Sequence, residues 1–221
     1  MVNDQSPDQT YATMIASRSI RTHRIPLITV VLALVAGCAG VPEAGTHSDA
    51  GMIESARLRA RGAADSLTTT LLARLTTVMK AQGPAGAVEV CAREAMLLTK
   101  QVGLHRGVDM RRVTVRARNQ GNVPDAWETA TLATFEARHH EGLLAPDMEI
   151  VETVETASGP AVRYMRPLIV RDPCLRCHGD AATIDPAVMA RITREYPADK
   201  ATGYVSGDLR GAISVTVPVA R

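Results

Sequence analysis

Aromatic residues are scarce in this chain, and neither sign of charge is in excess. Its 221 residues include one tryptophan, one phenylalanine and four tyrosines, while 25 basic residues face 23 acidic ones. The balanced charge excludes the strongly basic surface that is typical of proteins binding nucleic acid. A core with so few aromatic side chains favours a bulky cofactor as part of its filling.

A hydrophobic run long enough to cross a membrane is also lacking. The apolar stretch at residues 25–37 has thirteen residues, whereas a spanning helix needs about 20. Because the basic segment 17–24 precedes it, the stretch predicts a secretory signal peptide over residues 1–37. Met14 is a second candidate for the true start of the chain.

The end of the apolar stretch, Val35-Ala-Gly-Cys38, resembles the lipobox of bacterial lipoproteins. In those proteins the cysteine is acylated and becomes the mature N-terminus. We therefore expect a lipid on Cys38 and a place at the periplasmic face of the inner or outer membrane, with an ordinary signal peptide as the alternative. The small, polar and turn-prone residues that follow predict a flexible tether over residues 38–50.

Cysteine is scarce too, and two of the four cysteines share one motif. Cys174-Leu-Arg-Cys177-His178 is C-x-x-C-H, the attachment signature of c-type haem. Two thiols at this spacing can each add to one vinyl group of the same porphyrin, and the histidine that follows becomes the proximal iron ligand. A zinc knuckle would need a second ligand pair, a thioredoxin-type dithiol would need a βαβ context, and a disulfide here would be strained.

Export favours haem further, because c-type maturation takes place beyond the inner membrane. We therefore predict one covalent haem c attached through Cys174 and Cys177, with His178 on the iron.

One cysteine, Cys91, is left over once Cys38 is assigned to lipid and the motif pair to haem. It lies on the apolar stripe of a predicted helix over residues 85–102 and therefore faces inward. It is either a small core residue or the distal iron ligand opposite His178. Spacing alone leaves other candidates for that ligand: Met79, Met96, Met110, Met165, His105, His139 and His140.

Residues 51–221 are predicted to form one α+β domain. Apolar residues three and four positions apart predict a long N-terminal helix over residues 52–82, ended by Gly83-Pro84. Asn122 is predicted to cap a helix that runs to His140, with Asp125 and Glu128 at its positive end. Alternating apolar residues predict strands, two pairs of them in hairpins, over residues 111–118, 148–156, 161–170, 203–206 and 211–219.

Five motifs follow one another between about residues 51 and 220. They are Glu89-Val-Cys91, Arg118-Asn-Gln-Gly-Asn-Val-Pro-Asp-Ala-Trp-Glu128, Arg163-Tyr-Met-Arg-Pro167, Cys174-Leu-Arg-Cys-His-Gly179, and Tyr196-Pro-Ala-Asp-Lys-Ala-Thr-Gly-Tyr204 with Gly207-Asp-Leu-Arg-Gly-Ala-Ile-Ser-Val215. In order and spacing they resemble the family of PAS-like c-type haem sensor domains. The resemblance implies a five-stranded antiparallel sheet with flanking helices and one haem c. It also implies that His178 is paired with an axial cysteine that aligns with Cys91.

For function, the resemblance and the export signal together predict a lipid-anchored periplasmic redox or gas sensor. Departure of Cys91 from the iron on reduction would admit NO or CO, and the signal would pass to an unidentified periplasmic partner. The alternative is a monohaem cytochrome that transfers electrons and keeps both ligands. An enzyme is not expected, because a distal position held by cysteine leaves no open site on the iron.

Overall fold

One antiparallel sheet organises the part of the chain that the structure describes. The structure is a computed structural model and describes residues 44–219. The strands are β1 (Asp109–Val113), β2 (Ile150–Thr156), β3 (Gly159–Ile169) and β4 (Leu209–Pro218), and they lie in the order β1-β4-β3-β2. The helices are α1 (Ala44–Arg93), α2 (Ala95–Arg106), α3 (Ala126–His140), α4 (Leu175–His178) and α5 (Pro186–Glu195), with short 3-10 helices at Gln120–Asn122 and Asp172–Cys174. The predicted α+β class is confirmed.

The N-terminal predictions fall mostly outside this range. The predicted signal peptide and the lipid on Cys38 lie outside the described residues. Of the predicted tether, the part from Ala44 onward belongs to α1, so the long helix begins earlier than the expected residue 52. Between residues 44 and 219, none of the helices combines the length and the hydropathy that a bilayer crossing requires.

Helix α1 packs on one face of the sheet through small side chains. Ala60, Ala63 and Ala64 have no exposed surface, and residues without bulk allow a helix to approach strands closely. The cluster they form is completed by larger residues of the helix and of β3 and β4, among them Leu67, Val162, Tyr164, Ile213, Val215 and Val217. This half of α1 is therefore fixed to the sheet.

Helix α1 is interrupted at Gly83, as the sequence predicts. Gly83 has φ 70° and ψ −175°, a conformation outside the helical region, and Pro84 follows it. Proline is favoured at the first position of a helix because its missing amide hydrogen is not needed there. Helical structure therefore resumes after the kink, and we call residues 84–93 the Cys91 arm. The arm packs through Val88 against Ile184, Val188, Ile192 and Tyr196, in and around α5.

The expectation of five strands is corrected to four within residues 44–219. The segment 203–206, predicted as a strand, is not one. Its Gly203 amide donates to Gly179 O at 2.6 Å and its Tyr204 amide donates to His178 O at 2.9 Å. These backbone groups are bonded to the C-x-x-C-H segment and cannot pair with a strand.

The strand predicted over residues 111–118 is also shorter than expected. It ends at Val113, because the next amide, that of Thr114, donates to Asn122 O at 3.0 Å and turns the chain away from the sheet. The β2–β3 hairpin forms as predicted, in register from Ile150 opposite Met165 to Thr156 opposite Gly159.

Helix α3 covers the other face of the sheet. Its Leu132 and Phe135 are buried in a cluster with Val113, Met165 and Ala212. Asp125 caps the helix: its carboxylate accepts from the Glu128 amide at 2.8 Å, and the Glu128 carboxylate accepts from the Asp125 amide at 2.9 Å. The prediction that Asn122 caps this helix is therefore wrong.

Candidate functional site

The C-x-x-C-H motif occupies two consecutive turns. Cys174 ends the 3-10 helix, and Cys177 and His178 lie in α4. Gly179 follows because a side chain has no room there: an added Cβ would lie 2.7 Å from Leu175 O. Among residues 44–219, neither Cys174 nor Cys177 forms a disulfide, and their attachment to haem stays a prediction.

The two motif cysteines contact different parts of the core. Cys177 packs beside the cluster of the Cys91 arm and α5, whereas Cys174 packs beside Val170 and Tyr204. Burial raises the pKa of the Cys177 thiol. The motif is therefore held from both sides by residues distant in the sequence.

The proton on the His178 ring is placed by one hydrogen bond. Its Nδ1 lies 2.7 Å from Ala201 O. A carbonyl oxygen only accepts, so Nδ1 carries the hydrogen and Nε2 keeps a free lone pair. Burial, with the nearby charges of Arg210 and Arg118, lowers the pKa of His178 to about 3. A neutral imidazole whose Nδ1–H is bonded to a carbonyl is the form that coordinates a metal through Nε2.

His178 lines a cavity of about 150 Å³. The other lining residues come from β1 and the turn after it, from β3 and from β4: Arg112, Val113, Thr114, Asn122, Leu168, Arg210 and Gly211. Enclosed ligand sites are usually about 300–1,000 Å³. A ligand as large as a porphyrin would be only partly enclosed here.

Two partly buried guanidinium groups in this cavity have no carboxylate partner. Arg210 donates to Thr114 Oγ1 at 3.0 Å and to Arg116 O at 3.4 Å, and it lies over the Tyr204 ring. The Nη2 atom of Arg112 lies 3.9 Å from Met96 Sδ. Within residues 44–219, neither arginine forms an ion pair, and burial lowers the pKa of both. The buried atoms Arg112 Nε and Asn122 Oδ1 have no hydrogen-bond partner in the described part of the chain. Unpaired buried charge is costly, so the cavity is suited to an anionic ligand.

Cys91 is partly buried on its arm, near the same group of residues. Burial raises the pKa of its thiol, and the charges of Arg112 and Arg118 act in the opposite direction. Cys91 is also near enough to Cys177 to influence that thiol's pKa. The structure thus brings Cys91 to the motif and to the cavity-lining Arg112, while its role as an iron ligand stays a prediction.

The other candidates for the distal ligand are spread over the fold. Met96 lies beside the cavity through its contact with Arg112 and stays a candidate. Met110 and Met165 are buried in the clusters on the two faces of the sheet. The remaining side chains lie elsewhere: Met79 is half-buried on α1, His105 and His140 are exposed, and His139 is 3.6 Å from Asp208.

Sequence analysis missed the polar lining of the cavity. Arg112 and Arg210 were not singled out, and Asn122 was assigned to a helix cap. The available signal was that Asn122 and Arg210 stand inside motifs that resemble a haem family. Their distance from His178 in the sequence gave no direct indication of contact.

Comparison with known proteins gave two findings. The family model described as Tll0287-like matches residues 49–218. A crystal structure of the cyanobacterial haem protein Tll0287 is similar at 26% sequence identity and a TM-score of 0.49, covering 70% of this chain and 94% of that one. None of the curated proteins compared matches the chain.

Proposed function

The chain belongs to the Tll0287-like family, whose model spans residues 49–218, and from this membership we propose that it carries one covalent haem c. Cys174 and Cys177 would form the thioethers and His178 would bind the iron. The C-x-x-C-H motif and the free Nε2 lone pair support this assignment. The same proposal includes a PAS-like fold.

The charge of the cavity supports a haem more specifically. Haem carries two propionate carboxylates, and the cavity beside His178 is lined by two guanidinium groups without carboxylate partners. Arg112 and Arg210 would each gain an anionic partner, and the unpaired Arg112 Nε would gain an acceptor. Charge-assisted bonds of this kind are about twice as strong as neutral ones. This match of two cations to a dianion is the observation on which the proposal rests.

Bound here, the haem would supply a one-electron iron couple. We place Cys91 as the distal ligand, because it lies near the motif. Burial raises the pKa of its thiol, and the charges of Arg112 and Arg118 offset part of that rise. The cysteine lies on an arm joined to the sheet-bound part of α1 through the non-helical Gly83. If Cys91 left the site, its arm could turn about that glycine, and the change would reach the sheet-bound part of α1.

We propose on this basis that the protein is a redox or gas sensor. A thiolate is anionic, so its attraction to the iron would fall when the site gained an electron, and release of Cys91 would open a position for NO or CO. The signal would pass to a periplasmic partner.

The same proposal includes lipid anchoring through Cys38, export to the periplasm and the absence of enzymatic activity. Acyl labelling of wild type and Cys38→Ala tests the anchor.

The experiment that tests this function is expression of the full chain with a c-haem maturation system. We expect a covalent haem by pyridine haemochrome spectroscopy, and a shift of the main haem absorption band when CO is added to the reduced protein. Cys91→Ser should change the ferric spectrum and raise the potential, while the matched variant Met96→Leu should not. A colourless product contradicts haem binding. A spectral change in Met96→Leu alone would assign the ligand to Met96.

Electron transfer is the second candidate function, and the small cavity favours it. A haem that is only partly enclosed keeps an edge open to a redox partner. In that case both axial ligands stay in place in both redox states. Rapid electron exchange without CO binding would support a cytochrome and contradict the sensor.

A further inference from the structure

Arg118 is the most thoroughly bonded arginine near the motif. Its side chain is 9% exposed, and its Nε and Nη2 atoms donate to the two carboxylate oxygens of Asp199 at 3.0 and 3.1 Å. The Nη2 atom also lies 2.6 Å from Cys177 O and 3.2 Å from Ala201 O. One guanidinium therefore joins the haem motif to the loop at residues 196–204.

That loop provides the acceptor for the His178 ring. Asp199 Oδ1 accepts from the Ala201 amide at 2.9 Å, and Ala201 O accepts from His178 Nδ1. Ala201 has no exposed surface. The direction of its carbonyl is thus set by Asp199 on one side and by Arg118 on the other.

We propose that Arg118 and Asp199 are positioning residues for His178. They hold the Ala201 carbonyl against Nδ1, which fixes the ring orientation and leaves Nε2 free for the iron. This inference rests on the proposed function, because ring orientation matters only if His178 binds a metal. Partners behind a metal-binding histidine raise its basicity, and their loss typically costs about 10–100-fold in affinity or activity.

A role of Arg118 and Asp199 in holding the loop alone predicts other results than a role in positioning Ala201. The loop is also held by other hydrogen bonds: the Lys200 amide donates to Ala117 O at 3.1 Å, and the Gly203 and Tyr204 amides donate to the motif. These bonds hold the loop without Asp199. If the pair only contributes charge, variants that keep the charge will behave as wild type. If it positions Ala201, the same variants will weaken the bond to Nδ1.

The test uses charge-conserving variants of the full chain. The lysine of Arg118→Lys cannot form a bidentate hydrogen bond to a carboxylate, and Asp199→Glu displaces the carboxylate by one methylene. With haem attached, both should raise the redox potential, because a weaker Nδ1 bond makes the imidazole less basic. We expect the ratio of reduced to oxidised protein at a fixed ambient potential to change by about tenfold. The control Arg163→Lys alters an arginine paired with Asp125 on the sheet and should match wild type.

A second measurement needs no haem. The protein is expressed without the maturation system, and the amide hydrogen exchange of Ala201 is measured. Exchange should become roughly 5- to 10-fold faster in Arg118→Lys and Asp199→Glu, because about one hydrogen bond is lost. Arg163→Lys should leave it unchanged. Wild-type potentials and wild-type exchange in both variants would overturn the inference. If no haem attaches, the proposed function fails, and the exchange data still decide whether the pair orders Ala201.

Discussion

Replacement of Arg112 by methionine should stabilise the haem-free protein and destabilise the haem-bound one. Arg112 is partly buried. Within residues 44–219 its Nε has no partner and its Nη2 atom has only the weak acceptor Met96 Sδ at 3.9 Å. Methionine is flexible and uncharged, so Arg112→Met removes the cost of unpaired charge while still filling the space of the arginine's aliphatic stem. Most point mutations destabilise, which makes an increase in stability an informative result.

The size of the effect follows from the burial of the guanidinium. A fully buried ion without a partner costs several kcal/mol, and a partly buried one less, so we expect a gain of about 1–3 kcal/mol in the free energy of unfolding. For a chain of this length 1 kcal/mol corresponds to roughly 2–4 °C in Tm. With haem attached, the variant loses a charge-assisted bond worth about 1.5–3 kcal/mol, and the sign of the change reverses.

The assay is denaturant unfolding of the full chain, expressed with and without the c-haem maturation system. Arg111→Met is the matched control, because the neighbouring arginine already donates to Val123 O at 2.5 Å and to Gly121 O at 3.3 Å. It should not stabilise either form. Equal destabilisation of both forms by Arg112→Met would refute the reasoning, since it would show that the Arg112 charge is already satisfied without the cofactor.

Two further predictions concern α1. Glu149 accepts bonds from Arg61 at 2.5 Å and from Tyr164 Oη at 2.8 Å, and the Arg61 bond holds its pKa below 4.5. The contribution of the Glu149 carboxylate to stability is therefore present above about pH 4.5 and is lost as the pH falls through its lowered pKa. Glu149→Gln should cost about 2 kcal/mol in the free energy of unfolding at pH 7, and unfolding curves should show this difference shrinking towards pH 3. A difference that does not depend on pH would contradict the ion pair. Gly83→Ala should lower the free energy of unfolding by about 1–3 kcal/mol, because φ 70° with ψ −175° is accessible essentially only to glycine. The control Gly51→Ala, in an open helical position, should be stabilising in the same unfolding assay. An unchanged stability of Gly83→Ala would mean that the kink relaxes.

Features that depend on neighbouring residues were predictable from the sequence. The break at Gly83-Pro84 follows from the backbone chemistry of two adjacent residues, and the structure places it there. The C-x-x-C-H motif is likewise local, and its three side chains lie within two consecutive turns. The β2–β3 hairpin pairs strands close in sequence. In each case the cause and its effect lie within a few residues.

Features that depend on distant partners were not predictable. Alternation after Val113 suggested that Val115 faces inward and Arg118 outward, yet Val115 is 64% exposed and Arg118 is 9% exposed. Arg118 turns inward because Asp199, 81 positions away, pairs with it. The segment 203–206 has the composition of a strand but bonds to the haem motif instead. No local pattern records either partner.

The charged groups around His178 divide into those that have an ion-pair partner and those that have none, and the division bears on what the site does. Arg118 and Asp199 complete each other's bonds and fix the imidazole. Among residues 44–219, Arg112 and Arg210 on the cavity side have no carboxylate partner, and Arg112 Nε has no hydrogen-bond partner at all. A site that served folding alone would have no reason to leave charge uncompensated on one side of a histidine whose other side is fully bonded. The imbalance therefore argues that the missing partner of this cavity is a ligand, that the ligand is anionic, and that it meets a ring nitrogen already free of its proton.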